Sequence, residues 1–245
     1  MAIPTLICPV LNGADLLFEM LNSIDHPIDR VVIVDNGDVV VDGSEDHMIE
    51  LIGLRSKFDL RIIAPGHNLG VAASWNLGMK AAPVSPYFLI TNHDITFGEG
   101  DLARLEAIVD PGAAAVYHLL GFAAFAITRH ALNAIGTFDE NFINGYDEDV
   151  DFSRRCELAN LPRIDVGWSG THVGSATIMA NPALRAWNGQ SHMANDAYYA
   201  RKWGGPKQGG ETFDTPFNRG GHLGDWRFDF ERYRNQTWPR PKKEK

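Results

Sequence analysis

The chain has 245 residues, 44% of them hydrophobic and 22% charged, with a formal net charge of −9. That composition is typical of soluble globular proteins and excludes a disordered, collagen-like or coiled-coil chain; the longest apolar run, Leu119 to Thr128, is about half of the roughly 20 residues a membrane span needs. The charge is divided, because residues 1–180 carry 10 Lys/Arg against 24 Asp/Glu while residues 181–245 carry 12 against 7, together with four of the six tryptophans. An acidic body of this kind argues against wholesale coating of nucleic acid. Two cysteines, Cys8 and Cys156, are too few for a disulfide framework or a four-cysteine zinc site. The opening MAIPTLICPV lacks the basic stretch of a secretory leader, so a cytoplasmic protein without an integral membrane segment is expected.

Thr5–Val10 reads as a buried strand, closed by Pro9 and the turn-forming pair Asn12-Gly13. Residues Ala14–Ile24 follow a helical period with Leu17, Met20, Leu21 and Ile24 on one face. Arg30–Val34 is a second apolar strand, broken by Asp35-Asn36-Gly37, and Glu45–Phe58 reads as helix. Leu60–Ile63 (strand), Val71–Ala81 (helix), Tyr87–Thr91 (strand) and Leu102–Val109 (helix) continue the alternation. Alternating strands and helices, with strands that are apolar throughout, predict an α/β fold with a mostly parallel sheet covered on both faces. Further on, residues 121–128 read as a short strand, Arg129–Ile135 and Asp149–Leu161 as helices, and Ile164–Trp168 as a last strand. Beyond Asn181 the chain reads as loop-rich. The expected organisation is therefore a body over 1–180 and a basic, aromatic-rich extension over 181–245 packed on it.

Ligands of such sheets bind outside the carboxyl ends of the strands. Those ends carry Asn12, Asp35-Asn36 and Asn92-His93-Asp94. Asp94 is placed to hold a divalent cation, although the triplet also fits a polar turn. In Tyr146-Asp147-Glu148-Asp149-Val150-Asp151, four carboxylates fall within five residues at a predicted helix start, which fits either capping or a site. Asn68 and Gly70 suit a tight turn into a helix whose free N–H groups meet a phosphate or sugar, or simply a capped helix. Neither GK[ST] nor GxGxxG is present there, so a P-loop and a nicotinamide site are unsupported. His172 follows the last strand and is either structural or, with Asp94, a ligand that manganese accepts.

In order and spacing these segments resemble the family-2-like nucleotide-sugar glycosyltransferases of the GT-A fold, over roughly residues 4–178. The resemblance rests on Pro9-Val10-Leu11-Asn12, Asp35-Asn36, the series Asn68, Gly70, Asn76 and Gly78, Asn92-His93-Asp94, the run Gly136-Thr137-Phe138-Asp139-Glu140-Asn141-Phe142, Glu148-Asp149-Val150-Asp151 with Arg154, and His172. It departs from the family where Asn92 stands for the frequent first aspartate of the metal motif, and where DNG replaces DDGS. The ending Lys202-Trp203-Gly204-Gly205 is similar to that of phage-associated relatives, which would place the chain in a host cytoplasm.

The resemblance implies a GT-A type α/β/α sandwich and an inverting transfer of sugar from a nucleoside-diphosphate sugar (UDP, GDP or dTDP type) to an acceptor hydroxyl. The acceptor class stays open between a glycan, a protein and a modified DNA base. It implies Mn2+ or Mg2+ on Asp94 and His172, and Asp149 as catalytic base. Donor contacts are expected from Pro9, Asn12, Asp35, Asn36, Asn68, Gly70, Asn76, Asn92 and His93, and from Lys202 in the basic segment; Asp147, Glu148 and Trp168 are expected to meet the acceptor. Two other readings compete. A sugar-nucleotide-forming nucleotidyltransferase would show a glycine-rich, basic first loop, whereas Pro9–Ala14 has no basic residue. A non-catalytic sugar-binding relative would lack the base or metal carboxylates, whereas Asp94 and Asp149 are both present.

Overall fold

A computed structural model describes residues 1–11, 13–37, 52–174 and 182–234. In chain order the strands are β1 (Leu6–Val10), β2 (Arg30–Asp35), β3 (Asp59–Ile63), β4 (Tyr87–Thr91), β5 (Ile95–Thr96), β6 (Val116–Leu120), β7 (Ala124–Thr128), β8 (Arg163–Asp165) and β9 (Thr171–His172). Seven of them form one sheet in the order β3-β2-β1-β4-β7-β6-β8, and β5 pairs with β9 in a separate two-stranded ribbon. β1 is parallel to both β2 and β4, β2 to β3, and β6 to β8, while β7 runs antiparallel between β4 and β6.

Period-two alternation explains the apolar strands. Along β1, Leu6, Cys8 and Val10 enter one core with Leu17, Phe18 and Leu21 of the helix α1 (Ala14–Asn22), whereas Ile7 enters a second core on the opposite face. That second core holds Trp75 and Met79 of α3 (Val71–Ala81), and Phe138 and Phe152. Gly78 lets α3 lie close on β1, since a Cβ there would come within 2.3 Å of the Ile7 side chain. Residues 52–57 form the helical segment α2, and the rest of the helix expected over Glu45–Phe58 lies outside the described residues. The remaining helices are α4 (Asp101–Ile108), α5 (Arg129–Ile135), α6 (Glu148–Leu158), α7 (Pro182–Trp203) and α8 (Phe230–Arg234).

Three expectations need correction. Val116–Leu120 is an additional strand paired to β7 and β8; its histidine and the short turn at 121–123 hide it inside one long apolar stretch. The last main-sheet strand is only Arg163–Asp165, because Gly167, at φ 78°, turns the chain toward β9. Third, the stretch after Asn181 opens with a 22-residue helix rather than loop. Its buried face runs Trp187, Ser191, Asn195, Tyr198, Tyr199, Lys202 and Trp203. The spacing is helical, but three of the seven positions are polar, so no apolar stripe marks it.

That polar stripe docks on the body through buried charges. Lys202 Nζ lies 2.8 Å from Asp139 Oδ2 and 2.6 Å from Asp151 Oδ1, with all three side chains fully buried. Arg155 Nε donates to Asp151 Oδ2 at 2.9 Å, Trp203 Nε1 to Asp151 Oδ1 at 2.8 Å, and the Tyr198 hydroxyl to Asp139 Oδ2 at 2.8 Å. Burial pushes the Asp151 carboxyl up, but Lys202 and Arg155 more than offset this and hold it below the ordinary aspartate value. Replacing Lys202 by Met removes a cation that two buried carboxylates share. The expected loss is about 3–5 kcal/mol, read as a lower urea midpoint; an unchanged midpoint would mean that the cluster does not hold α7 in place.

Candidate active site

β1, β2 and β4 are parallel, so their carboxyl ends meet at one edge of the sheet, and the chain diverges there to either side of β1. A cavity of about 390 Å³ opens at this edge. Its sheet side is formed by Pro9 in β1 and Leu11 after it, Asn36 after β2, and Asn92, His93 and Asp94 after β4; the starts of α3 and α6 close it from the other side.

The start of α3 is held by a small polar network. Asn68 Oδ1 accepts from Gly70 N–H at 2.9 Å, Asn36 Oδ1 accepts from Leu69 N–H at 3.0 Å, and Asn36 Nδ2 donates to Ser74 Oγ at 2.9 Å. Gly70 adopts φ 79°, and a Cβ there would meet the Asn144 backbone at 2.9 Å. Val71 N–H donates to Asn144 O at 2.7 Å, so α3 begins directly against the loop that leads to α6.

That loop is strained. Asn144, Tyr146 and Asp147 adopt φ 67°, 75° and 71°, conformations disfavoured for residues with a Cβ. Buried Asn195 of α7 holds it: its Nδ2 donates to the carbonyls of Ile143 (2.9 Å), Gly145 (3.1 Å) and Tyr146 (3.0 Å). The loop delivers Glu148 and Asp149 to the cavity. Asp149 Oδ1 accepts from Val150 N–H at 2.8 Å in the first turn of α6. Glu148 is buried, and its Oε2 has no hydrogen-bond partner among the described residues. Burial, then the neighbouring Asp149, raises its carboxyl well above the ordinary glutamate value.

Asp94 and His172 meet across the β5–β9 ribbon, where Ile95 pairs with His172 and Val173 N–H donates to Asp94 O at 3.0 Å. His172 Nε2 lies 3.5 Å from Asp94 Oδ1. A carboxylate oxygen beside an imidazole nitrogen on a cavity wall is a donor set that suits Mn2+ or Mg2+. A second cluster, Asp147 with His192 and Asp196, has ligand atoms within 4.8 Å of one another. There the Lys207 ammonium already lies 2.5 Å from Asp147 Oδ1 and 2.9 Å from Asp196 Oδ1, and supplies the cation. Burial raises the Asp147 carboxyl despite that pairing.

Of the residues expected at the site, Pro9, Asn36, Asn68, Gly70, Asn92, His93, Asp94, Glu148, Asp149 and His172 line this one cavity. Asn12 lies outside the described residues. Asp35 is buried at the end of β2 beneath Asn36 and is not on the cavity wall. Asn76 is buried and clamps the 138–140 turn, donating to Phe138 O at 2.7 Å and accepting from Phe138 N–H at 3.1 Å. Lys202 is fully buried in the charge cluster and lines no part of the cavity. Trp168 packs behind the ribbon with Nε1 on Thr96 O at 3.2 Å, and Asp147 faces Lys207. The wall also includes Trp75, Asn144, Tyr146 and Asn188, which sequence reasoning missed. The positive-φ run explains how Asn144 and Tyr146 reach it, and Asn188 arrives on the helix expected to be loop.

The sequence over residues 5–144 matches the family model of glycosyl transferase family 2. No curated protein sequence matches the chain. Among solved structures, a mannosyltransferase from Pyrobaculum calidifontis, PcManGT, in complex with GDP-Man and Mn2+, is 19% identical with a TM-score of 0.58, over 78% of this chain and 63% of that one. TarS of S. aureus in complex with UDP is 20% identical with a TM-score of 0.51, over 66% of this chain and 57% of that one. GalNAc-T7 with UDP, GalNAc and Mn2+ is 10% identical with a TM-score of 0.56, over 69% and 44%. The likeness at these identities is one of fold, and the chain spans less than two thirds of each neighbour's length.

The raised Glu148 carboxyl has a consequence for stability. A carboxyl with a higher value folded than unfolded favours the fold below the ordinary glutamate value, and that contribution is lost as pH rises through the folded value. Glu148→Gln carries no charge to desolvate. Its urea midpoint should fall less than the wild type's between pH 5 and pH 8; parallel falls in both proteins would contradict a buried, uncompensated Glu148.

Proposed function

Because this chain belongs to glycosyl transferase family 2 and is a glycosyltransferase, we propose that it moves a sugar from a nucleoside-diphosphate sugar to an acceptor hydroxyl with inversion. The observation that carries this reading is the gathering of Asp94 with His172, and of Asp149 with Glu148, on one cavity wall at the carboxyl ends of β1, β2 and β4. The UDP and GDP-Man held by neighbours of the same fold support the donor class, and the Mn2+ of two of them supports the cation.

In this reading Asp94 and His172 hold Mn2+ or Mg2+, which when bound stabilises the charge that develops on the departing diphosphate. The N–H groups at the start of α3, preset by Asn36 and Asn68, add positive potential on the donor side. The acceptor oxygen forms its bond to the anomeric carbon as the bond to the diphosphate oxygen breaks, and Asp149 takes the hydroxyl proton. A base must be ionised to do this, and Asp149 lies in the first turn of α6 with its Oδ1 accepting from Val150 N–H at 2.8 Å. Glu148, neutral over a wider pH range, orients the acceptor by donating a hydrogen bond. Asp147 acts indirectly, by anchoring the strained loop to Lys207. Residues 1–180 are the catalytic body in this reading, and residues 181–245 an extension that completes its wall through Asn188.

No helix among the described residues is long and apolar enough to cross a membrane. The reading places the reaction in the cytoplasm, a setting in which the buried free thiols Cys8 and Cys156 stay reduced.

A thermal-shift screen of UDP-, GDP- and dTDP-sugars with Mn2+ identifies the donor. Ligand at about 100 times its dissociation constant adds about 2.7 kcal/mol, or roughly 5–10 °C for a chain of this size. With that donor, Asp94→Ala should abolish metal-dependent binding, His172→Ala should weaken it less, and excess EDTA should stop turnover of the wild type. Full turnover in EDTA would overturn the metal's part in the mechanism.

A further inference from the structure

A second cavity, of about 440 Å³, shares no wall residue with the first. Tyr198, Arg201, Phe217, Arg219, Arg227 and Asp229 line it. Among the described residues, Arg201, Arg219 and Arg227 are exposed and make no ion pair or side-chain hydrogen bond. Three guanidinium groups around one space repel each other, and among the described residues the cavity lining includes one carboxylate against them. Asp229 is that carboxylate, and its Oδ1 is directed to the backbone N–H groups of Glu231 (3.1 Å) and Arg232 (3.2 Å) at the start of α8.

Aromatic rings, rather than acids, hold two of the three cations. Arg201 Cζ lies 5.4 Å from the centroid of the Tyr198 ring, and Arg219 Cζ lies 5.2 Å from that of Phe217. A guanidinium placed over a ring keeps its N–H edge free for an oxyanion. Phe217 reaches this position with φ 58° and Asn218 follows at φ 55°, so backbone strain is accepted where the ring supports Arg219. The floor is rigid and internally satisfied: the Tyr198 hydroxyl donates to Asp139 Oδ2 at 2.8 Å, and Asn141 Nδ2 donates to Arg227 O at 2.9 Å. That second bond fixes the chain that carries Arg227.

We propose that this cavity is an anion site that takes a phosphate group through Arg201, Arg219 and Arg227. Guanidinium forks match the paired oxygens of a phosphate, and three of them neutralise a dianion while leaving Asp229 to cap its helix. The site is independent of the chemistry in the first cavity, and phosphate supplied by a monoester or by a diester within a chain has the same recognition chemistry.

The test is calorimetric titration of the full chain with inorganic phosphate at constant ionic strength, with sodium chloride replaced step by step, on wild type, R201Q/R219Q and R227Q. All three positions are exposed, so the variants should melt as the wild type does. Saturable binding that weakens at least tenfold in R201Q/R219Q and also falls in R227Q is the expected result. Glycerol phosphate and dimethyl phosphate, titrated in the same way, tell a terminal phosphate from one inside a chain, and preference for either supports the site. Phosphate binding of equal strength in all three proteins would place the ion elsewhere, the first cavity included, and overturn the proposal. Absence of saturable binding in the wild type would overturn it as well.

Discussion

The buried charge cluster around Asp151 is the constraint on which the site's geometry depends. Asp139, Asp151, Arg155 and Lys202 are all fully buried, an arrangement whose desolvation cost is large unless every group finds opposite charge and hydrogen bonds. Here Lys202 sits between the two carboxylates while Arg155, Trp203 and Tyr198 complete their coordination. Asp151 lies in the first turn of α6, two residues beyond Asp149. The same contacts that bind α7 to the body therefore fix the direction in which α6 starts. Of the acidic run from Asp147 to Asp151, the two outer aspartates are matched by Lys207 and Lys202, which leaves Glu148 and Asp149 toward the cavity.

Backbone strain is concentrated in the same place. Positive φ at Asn144, Tyr146 and Asp147 costs on the order of 1–3 kcal/mol each. Asn195 offsets part of it by bonding the carbonyls of Ile143, Gly145 and Tyr146, and Asn144 is itself tied to Asn188 at 3.0 Å. Both clamps come from α7. The C-terminal segment thus shapes the cavity mainly through neutral amides and buried charge rather than through its exposed basic residues, whose arginines gather instead around the second cavity.

Much of this was legible in the sequence wherever local pattern and tertiary role coincide. Apolar strands ending in Asn36 and in Asn92-His93-Asp94 predicted the mostly parallel sheet, and those residues line the first cavity at its edge. Legibility failed where a residue type suited two roles. Asn76 has the spacing of a ligand contact yet serves as a backbone clamp for the turn at Phe138. Lys202 reads as a free cation in a basic tail, and only tertiary contact shows two carboxylates waiting for it. The helix that carries it buries Ser191, Asn195 and Lys202 where a helical pattern is sought in apolar residues. Asn188 and Asn144 were missed for the same reason, since neither is set apart by local sequence from an ordinary surface amide.

The proposed transfer turns on Asp149 accepting the proton while the opposite wall of the same cavity holds the donor. It is tested most directly by measuring donor affinity and turnover together for Asp149→Asn, using the nucleotide sugar selected by thermal shift with Mn2+. Asparagine keeps the size and the hydrogen bond to Val150 N–H but does not take a proton. The expected result is an unchanged dissociation constant and a rate lower by about 10²–10⁴. Turnover near the wild-type rate, or a collapse of donor affinity, would contradict it.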